Sequence, residues 1–412
     1  MRPASMLVVL LLAGCLGSSP SDGSHAEADS LRPRPFQCDH APLQAGQACA
    51  ATTSIPGDHW AEPFVATHPT RDLWIIAAQG RGGEPTPDDP LAGLLGPDAE
   101  CLELVNCLFI TRDQGRSWER SEAVTPDGDR VYVDPTLAWA GDTLLMAGLV
   151  PNGGGIRVLA SNDDGSTFHA ATTFAASGND DRPWLATQGR HAALVWQESG
   201  ARRGFVATSD DGGTSWNDLL EVPCNVHSAP VWKDGWWIAC GDDAGTSIFR
   251  VDAGNVERVA TVSGFSGTRI MARHGDGFVL AGASTGTIRI SPDGRTWGPV
   301  VDLAPTVASD DRWLGWLTSD GDAILSLVWD RNGGCPFCAD HQVTRTLVQA
   351  TERGIVASAP LQPSSGWEFD GPGPRAFGEF DGIACKDVCL AAWPDEGRIV
   401  HAWLGPRPNA FI

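Results

Sequence analysis

Lysine is nearly missing from this chain of 412 residues: only Lys233 and Lys386 occur, so almost all positive charge is arginine. Acidic side chains outnumber basic ones, 51 to 29, for a formal net charge of −22. That balance argues against a nucleic-acid partner, because phosphate binding needs a basic face. Long apolar runs are also lacking. Bilayer-spanning helices need about 20 apolar residues, and no segment after the N-terminus approaches that. No long stretch has the 3.6-residue period of an amphipathic helix, which predicts almost no helix. His59, His227, His274 and His341 show no metal-binding spacing, and no Ser–His–Asp arrangement is identifiable from order alone. No metal or cofactor is therefore expected. Tyrosine occurs once, as Tyr132.

What is present begins at the N-terminus. Met1 and Arg2 precede a short apolar run, Met6 to Leu12, too short to span a bilayer. Residues 1–14 read as a signal peptide. Leu12-Ala13-Gly14-Cys15 resembles the lipobox of prokaryotic lipoproteins, which implies lipidation of Cys15 and an exported, membrane-anchored protein at the cell surface or in the periplasm. The alternative is an ordinary signal peptide with a chance cysteine. Residues 15–36, rich in Ser, Gly, Pro and Asp, read as a flexible tether. Ten further cysteines fall as near neighbours: Cys38 and Cys49, Cys101 and Cys107, Cys224 and Cys240, Cys335 and Cys338, Cys385 and Cys389. In an exported chain this pattern favours five local disulfides. The competing reading is zinc held by Cys335, Cys338, His341, Cys385 and Cys389.

Residues 37–412 carry one recurring motif. It reads Thr111-Arg112-Asp113-Gln114-Gly115-Arg116-Ser117-Trp118, returns around Asp163 and Asp211, and returns one residue shorter around Asp293. The Asp carboxylate suits the backbone N–H groups of its own turn. The Gly suits the positive φ of a tight hairpin. Each copy follows a strand-like run. The copies start at 111, 161, 209 and 291, and the double-length last gap places a decayed copy near Val251-Asp252-Ala253-Gly254. These are Asp-boxes, and the chain resembles the sialidase-like (BNR-repeat) β-propellers. The resemblance implies an all-β propeller of four-stranded blades, with Asp113, Asp163, Asp211 and Asp293 structural and peripheral.

A second periodic position opens the innermost strands: Glu62, Asp134, Arg182, Ala229, Arg269, Arg312 and Asp381. Seven such positions predict seven blades; the sialidases themselves resemble six-bladed propellers, so six remains the alternative. The last blade lacks one strand, and Cys49 to Ile55 can supply it and close the ring. In a propeller the blade-opening residues surround the central channel. Arg182, Arg269 and Arg312 are the candidate ligand-binding residues, since guanidinium groups suit carboxylates. Local pairing with Asp181 and Asp311 is the alternative reading. Sialidases use three arginines, an acid/base carboxylate and a tyrosine assisted by a glutamate, an exception to two-carboxylate hydrolysis. The carry-over is incomplete: the N-terminal Arg-Ile-Pro is Ala61-Glu62-Pro63-Phe64 here, and the only tyrosine lies early. Tyr132, Asp134, Glu62, Glu379 and Asp381 are the catalytic candidates. The first functional expectation is a surface-anchored binding or scaffold module, with a glycan, anionic ligand or protein at the channel and membrane contact only through the lipid. The alternative is an exo-glycosidase of sialidase type; an assembly factor is a third reading.

Overall fold

Strands of two to nine residues punctuated by Gly, Asp and Asn fold into seven antiparallel sheets. The computed structural model describes residues 50–404, apart from 56–60, 83–102, 114, 151–153, 176, 243–244, 253, 266–268, 306–311, 320–323, 331–343, 361–380, 387–388 and 396–397. Blade I is built from Ala61–Thr67, Trp74–Gly82, Glu103–Thr111 and Glu119–Glu122. Blade II follows with Val133–Ala140, Thr143–Leu149, Ile156–Ser161 and His169–Phe174. Blade III has Asp180–Gln188, His191–Glu198, Gly204–Ser209 and Leu220–Val222. In blade IV the inner strand is split into Asn225–Val226 and Val231–Trp232, ahead of Trp236–Asp242, Gly245–Asp252 and Asn255–Val262. Pro230 lies in the gap; it has no N–H for a ladder. Blades V and VI open at Arg269–His274 and Arg312–Ser319. Blade VII is Gly382–Cys385, Cys389–Asp395 and Arg398–Leu404, completed by the N-terminal strand Ala50–Ile55. That strand pairs antiparallel with Arg398–Leu404, from Ala50 opposite Leu404 to Ile55 opposite Ile399. The first and last described strands thus hydrogen-bond each other and close the ring, which removes two open edges. Among the described residues the only helical element is one 3-10 turn, Ala283–Thr285.

The first strands of successive blades lie against one another around the axis. The apolar cores sit between blades: Leu108 and Ile110 of blade I pack with Leu144 and Met146 of blade II, and Leu145 and Ala147 with Leu194 and Trp196 of blade III. Alternation along each strand feeds one face to each neighbour.

The repeated turn joins third strand to fourth strand in blades I, II, III and V. Its opening hydroxyl (Thr111, Ser161, Ser209, Ser291) accepts the N–H of Gly115, Gly165, Gly213 and Gly294 at 2.8–2.9 Å. Its Asp accepts the N–H of Ser117, Thr167, Ser215 and Thr296 at 2.7–2.9 Å. Burial opposes ionisation of Asp113 and Asp163, but these hydrogen bonds outweigh it and hold both below the usual carboxylate range. The Ser215 hydroxyl, first, and its N–H hold Asp211 down to about 2. Each glycine has positive φ and also touches the preceding blade. A Cβ on Gly213 would lie 2.7 Å from Leu145 of blade II, one on Gly294 2.4 Å from Trp237 of blade IV, and one on Gly115 2.5 Å from Trp403 of blade VII. The turn is therefore an inter-blade contact as well as a hairpin. In blade IV, Asp252 pairs with Asn255 across the equivalent hairpin, where the decayed copy was expected.

Among the described residues two cysteine pairs are joined: Cys224 to Cys240 with Cα atoms 5.8 Å apart, and Cys385 to Cys389 with Cα atoms 4.1 Å apart. The second bridge takes Cys385 and Cys389 away from the zinc reading. Cys107 is buried on the core face shared by blades I and VII, and Arg120 donates to its sulfur at 3.4 Å; its expected partner Cys101 lies outside the described residues. Cys15, Cys38, Cys49, Cys101, Cys335 and Cys338 lie outside the described residues, as do the signal peptide and tether.

Candidate functional site

In a four-stranded meander the first and third strands run the same way. The blade-opening residues therefore sit on one face of the ring, and the third-to-fourth turns with their aspartates sit on the other. This topology separates Glu62, Asp134 and Arg182 from Asp113, Asp163 and Asp211.

At three consecutive blades the opening residue takes a left-handed backbone: Glu62 has φ 50°, Asp134 φ 52° and Arg182 φ 51°. Each precedes a proline, which closes the right-handed helical region to it. Each also sits at a break in register, between Ala61 and Phe64, Val133 and Thr136, and Asp181 and Trp184. Such a bulge re-aims side chains. Non-glycine residues held at positive φ carry about 1–3 kcal/mol of strain and cluster at functional sites.

The side chains so aimed converge. Glu62 is hydrogen-bonded to Asp134. The N–H of Asp134 donates to Gln79 Oε1 at 3.1 Å. Burial, foremost, pushes the Asp134 carboxyl above the usual range, and Asp181 adds to this, while the hydrogen bond with Glu62 and the charge of Arg182 pull the other way. The Asp134 carboxyl therefore holds its proton more tightly than an isolated carboxylate. Asp181 accepts from Gln197 at 3.3 Å, and Asp180 from the indole of Trp196 at 2.8 Å.

Blade IV contributes His227, from the break in its inner strand. Burial first, then the charges of Arg182 and Arg269, depress its pKa to about 4, so it is neutral at pH 7. Arg269 of blade V is fixed by Thr246 Oγ1 at 3.1 Å and the Gly245 carbonyl at 3.2 Å. Gly241 makes room for its guanidinium, since a Cβ there would lie 2.9 Å from Nη1. The structure thus gathers Glu62, Asp134, Asp181, Arg182, His227 and Arg269 at one mouth of the channel. Arg312 opens blade VI as expected, though its side chain is outside the described residues, as is Glu379.

Two candidates make other contacts. Asp381 opens blade VII, but its carboxylate receives Arg345 Nε at 3.2 Å, and both side chains are fully buried. That pair is a structural link from blade VI to blade VII, and breaking a buried pair is costly. The hydroxyl of Tyr132 makes no hydrogen bond among the described residues; the residue is held through its N–H on Leu149 at 3.0 Å. Sequence reasoning missed Arg345, which lies in a third strand outside any repeat signal. It also missed His227, although two residues before the Ala229-Pro230 step is the position Asp180 takes before Arg182.

Below this ring the channel is filled. Phe64, Trp184 and Trp316, from the first strands of blades I, III and VI, meet across the axis, with Trp184 and Trp316 stacked at 5.1 Å and Phe64 edge-on to Trp316 at 5.7 Å.

No family model and no curated protein matches the sequence. Solved propellers do match the fold. The chain is similar to YCF48 bound to D1 peptide, at TM-score 0.50 and 12% identity over 88% of this chain and 96% of that one. It is similar to the GH74 xyloglucanase from Xanthomonas campestris, at TM-score 0.52 and 16% identity over 88% of this chain and 54% of that one. A Hadza microbial sialidase is more distant, with TM-score 0.42 and 14% identity over 65% of this chain and 63% of that one. This chain has the seven-bladed β-propeller fold. At such identities the likeness establishes fold and leaves function to the site.

Proposed function

We propose that the propeller is a non-catalytic binding module whose charged channel mouth takes the carboxylate of a glycan or protein ligand. The observation that carries this is the strained, pre-proline backbone at Glu62, Asp134 and Arg182, where three blades in succession hold an ionisable side chain at the axis. Arg182 and Arg269 supply the guanidinium groups for a carboxylate. The neutral imidazole of His227 stands beside both and contributes no further charge. Export on a lipidated Cys15 belongs to the same proposal. The two disulfides fit an oxidising compartment, and an intact mass from the membrane fraction tests the lipid.

The hydrolase reading is less well supported. Carboxyl pairs that cleave glycosides stand about 5–9.5 Å apart, with the bond between them. Glu62 and Asp134 are hydrogen-bonded to each other instead. The sialidase alternative needs a tyrosine nucleophile, and Tyr132 makes no hydrogen bond to these groups. Among solved propellers of this fold, one holds a D1 peptide and one is a xyloglucanase, so fold alone favours neither class.

The test is calorimetric titration with N-acetylneuraminic acid, glucuronic acid and a peptide bearing a free C-terminal carboxylate. Arg182→Ala and Arg269→Ala should each weaken binding about tenfold or more, since charge-assisted hydrogen bonds contribute about 1.5–3 kcal/mol. Release of sialic acid from a fluorogenic substrate, abolished by Tyr132→Phe, would reject this reading and promote the enzyme.

A further inference from the structure

On the face opposite the charged ring, the channel opens into a cavity of about 460 Å3 between blades III, IV, V and VI. A second cavity of about 350 Å3 lies between blades I, II and III. Thr187 and Gln188, at the end of the first strand of blade III, line both. The two cavities thus lie on either side of that strand end and share its residues as a common wall. Volumes of this order hold small-molecule ligands.

Trp232, Trp236 and Trp316 line the larger lobe; Trp236 and Trp316 are buried in its wall, and Trp232 is the more exposed of the three. Trp232 is half-buried and rigidly placed: His191 stacks on it at 4.6 Å and 9°, and Trp236 meets it edge-on at 5.1 Å. His191 is itself held by Asp210 at 2.7 Å. Trp316 is backed by Trp184. The one charged side chain in the wall, Arg273, donates to the carbonyls of Gly275 at 2.9 Å and Trp232 at 3.1 Å, with Asp276 at 3.7 Å. Its charge is thus locally balanced. Gln188 is exposed on the ridge between the lobes, where its amide offers both donor and acceptor.

We propose that this recess is a second binding site, distinct from the carboxylate site, for a neutral glycan segment about two sugar rings long. The C–H face of a pyranose is apolar surface that an indole buries well, and its rim of hydroxyls needs donors and acceptors such as the Gln188 amide and the Thr187 hydroxyl. An apolar peptide side chain would desolvate Gln188 without replacing its hydrogen bonds. An acidic ligand would meet a balanced arginine on a chain of net charge −22. Two lobes on either side of one amide suit two successive rings of a chain. The aromatic layer of Phe64, Trp184 and Trp316 separates this recess from Glu62, Asp134 and Arg182, so the two sites are independent.

The experiment titrates the full chain with cellohexaose, mannohexaose and a xyloglucan heptasaccharide, read by calorimetry and tryptophan fluorescence. At least one should bind and quench fluorescence. Trp232→Ala should weaken that binding about tenfold or more, equal to about 1.4 kcal/mol. Gln188→Ala, at an exposed position, should weaken it several-fold at unchanged melting temperature. If Trp232→Ala fails to fold, Trp232→Phe serves, with a smaller loss expected. Arg269→Ala, in the other site, should leave it unchanged. The proposal is overturned if none of the three sugars binds at millimolar concentration, if binding is indifferent to both Trp232 and Gln188, or if it falls with Arg269→Ala. Capture of an apolar peptide that is insensitive to Gln188→Ala would also overturn it. None of these outcomes depends on a carboxylate binding at the opposite mouth.

Discussion

Gly213→Ala is the sharpest probe of how the blades are held together. Gly213 has φ 84°, and a Cβ there would sit 2.7 and 2.8 Å from the two Cδ atoms of Leu145 in the neighbouring blade. The left-handed backbone alone costs a non-glycine residue about 1–2 kcal/mol. Overpacking against a filled core adds about 1–3 kcal/mol. The expected loss is therefore about 2–5 kcal/mol. Gly200 is the matched control: it lies in the same blade at φ 80°, with nothing within 4 Å of its Cβ position. Gly200→Ala should cost only the backbone share, about 1–2 kcal/mol. Unfolding entropy of about 2.1 cal/mol/K per residue makes each kcal/mol worth about 1.2 °C in a chain this long. Calorimetry should then show falls of about 1–3 °C for Gly200→Ala and about 2–6 °C for Gly213→Ala. Equal shifts would refute the claim that the turn glycine is an inter-blade contact, because only the packing share differs between the two.

Three further outcomes follow from the same geometry. Asp163→Ala removes the acceptor for the N–H and hydroxyl of Thr167 at 2.8 and 2.7 Å and should cost about 1–2 kcal/mol in urea unfolding; ligand affinity should stay constant, since the turn lies on the face away from the charged ring. Asp113, Asp163, Asp211 and Asp293 all have depressed folded pKa values, so their stabilisation is present above about pH 4 and is lost as pH falls through the folded values, about 2 for Asp211. Acid unfolding should accordingly be shallower in Asp211→Asn than in the parent, and identical profiles would contradict the linkage. Replacing Cys224 and Cys240 together by serine opens a loop with sequence separation 16 and should cost about 3 kcal/mol, with the parent bridge checked by non-reducing peptide mapping.

The architecture was legible because its signals are local and repeated. The turn around Asp113 recurs around Asp163, Asp211 and Asp293 with the same hydroxyl, glycine and aromatic, and seven blade-opening positions match seven sheets. The closing strand Ala50–Ile55 was readable as the partner that blade VII lacked. The channel mouth was legible only by position. Repeat register pointed to Glu62, Asp134, Arg182 and Arg269, but pairing across blades depends on how far each strand end reaches, and no local pattern encodes that. So Asp381 looked equivalent to Asp134, yet it meets Arg345 in a buried pair while Asp134 meets Glu62. His227 was hidden for the same reason: it lies in the break between the two pieces of the inner strand of blade IV.

The strain at the blade openings can be separated from the charge it presents. Arg182 is held at φ 51° before Pro183, and an alanine there would keep that strain while losing the guanidinium. A glycine would lose the guanidinium equally but relax the backbone, because it has no Cβ to clash at positive φ. At an ordinary position glycine is the less stable of the two by about 0.4–1 kcal/mol, through the entropy of the unfolded chain. At Arg182 the left-handed penalty of about 1–2 kcal/mol on alanine offsets or exceeds that, so Arg182→Gly should be the more stable variant by up to about 1.6 kcal/mol. Both should bind a carboxylate ligand equally poorly, which removes charge from the comparison. Urea unfolding of the pair reads the difference directly. If alanine proves more stable than glycine, as at an ordinary position, the backbone there is unstrained, and the argument that three blades hold strained ionisable groups at the axis for a ligand fails at its first step.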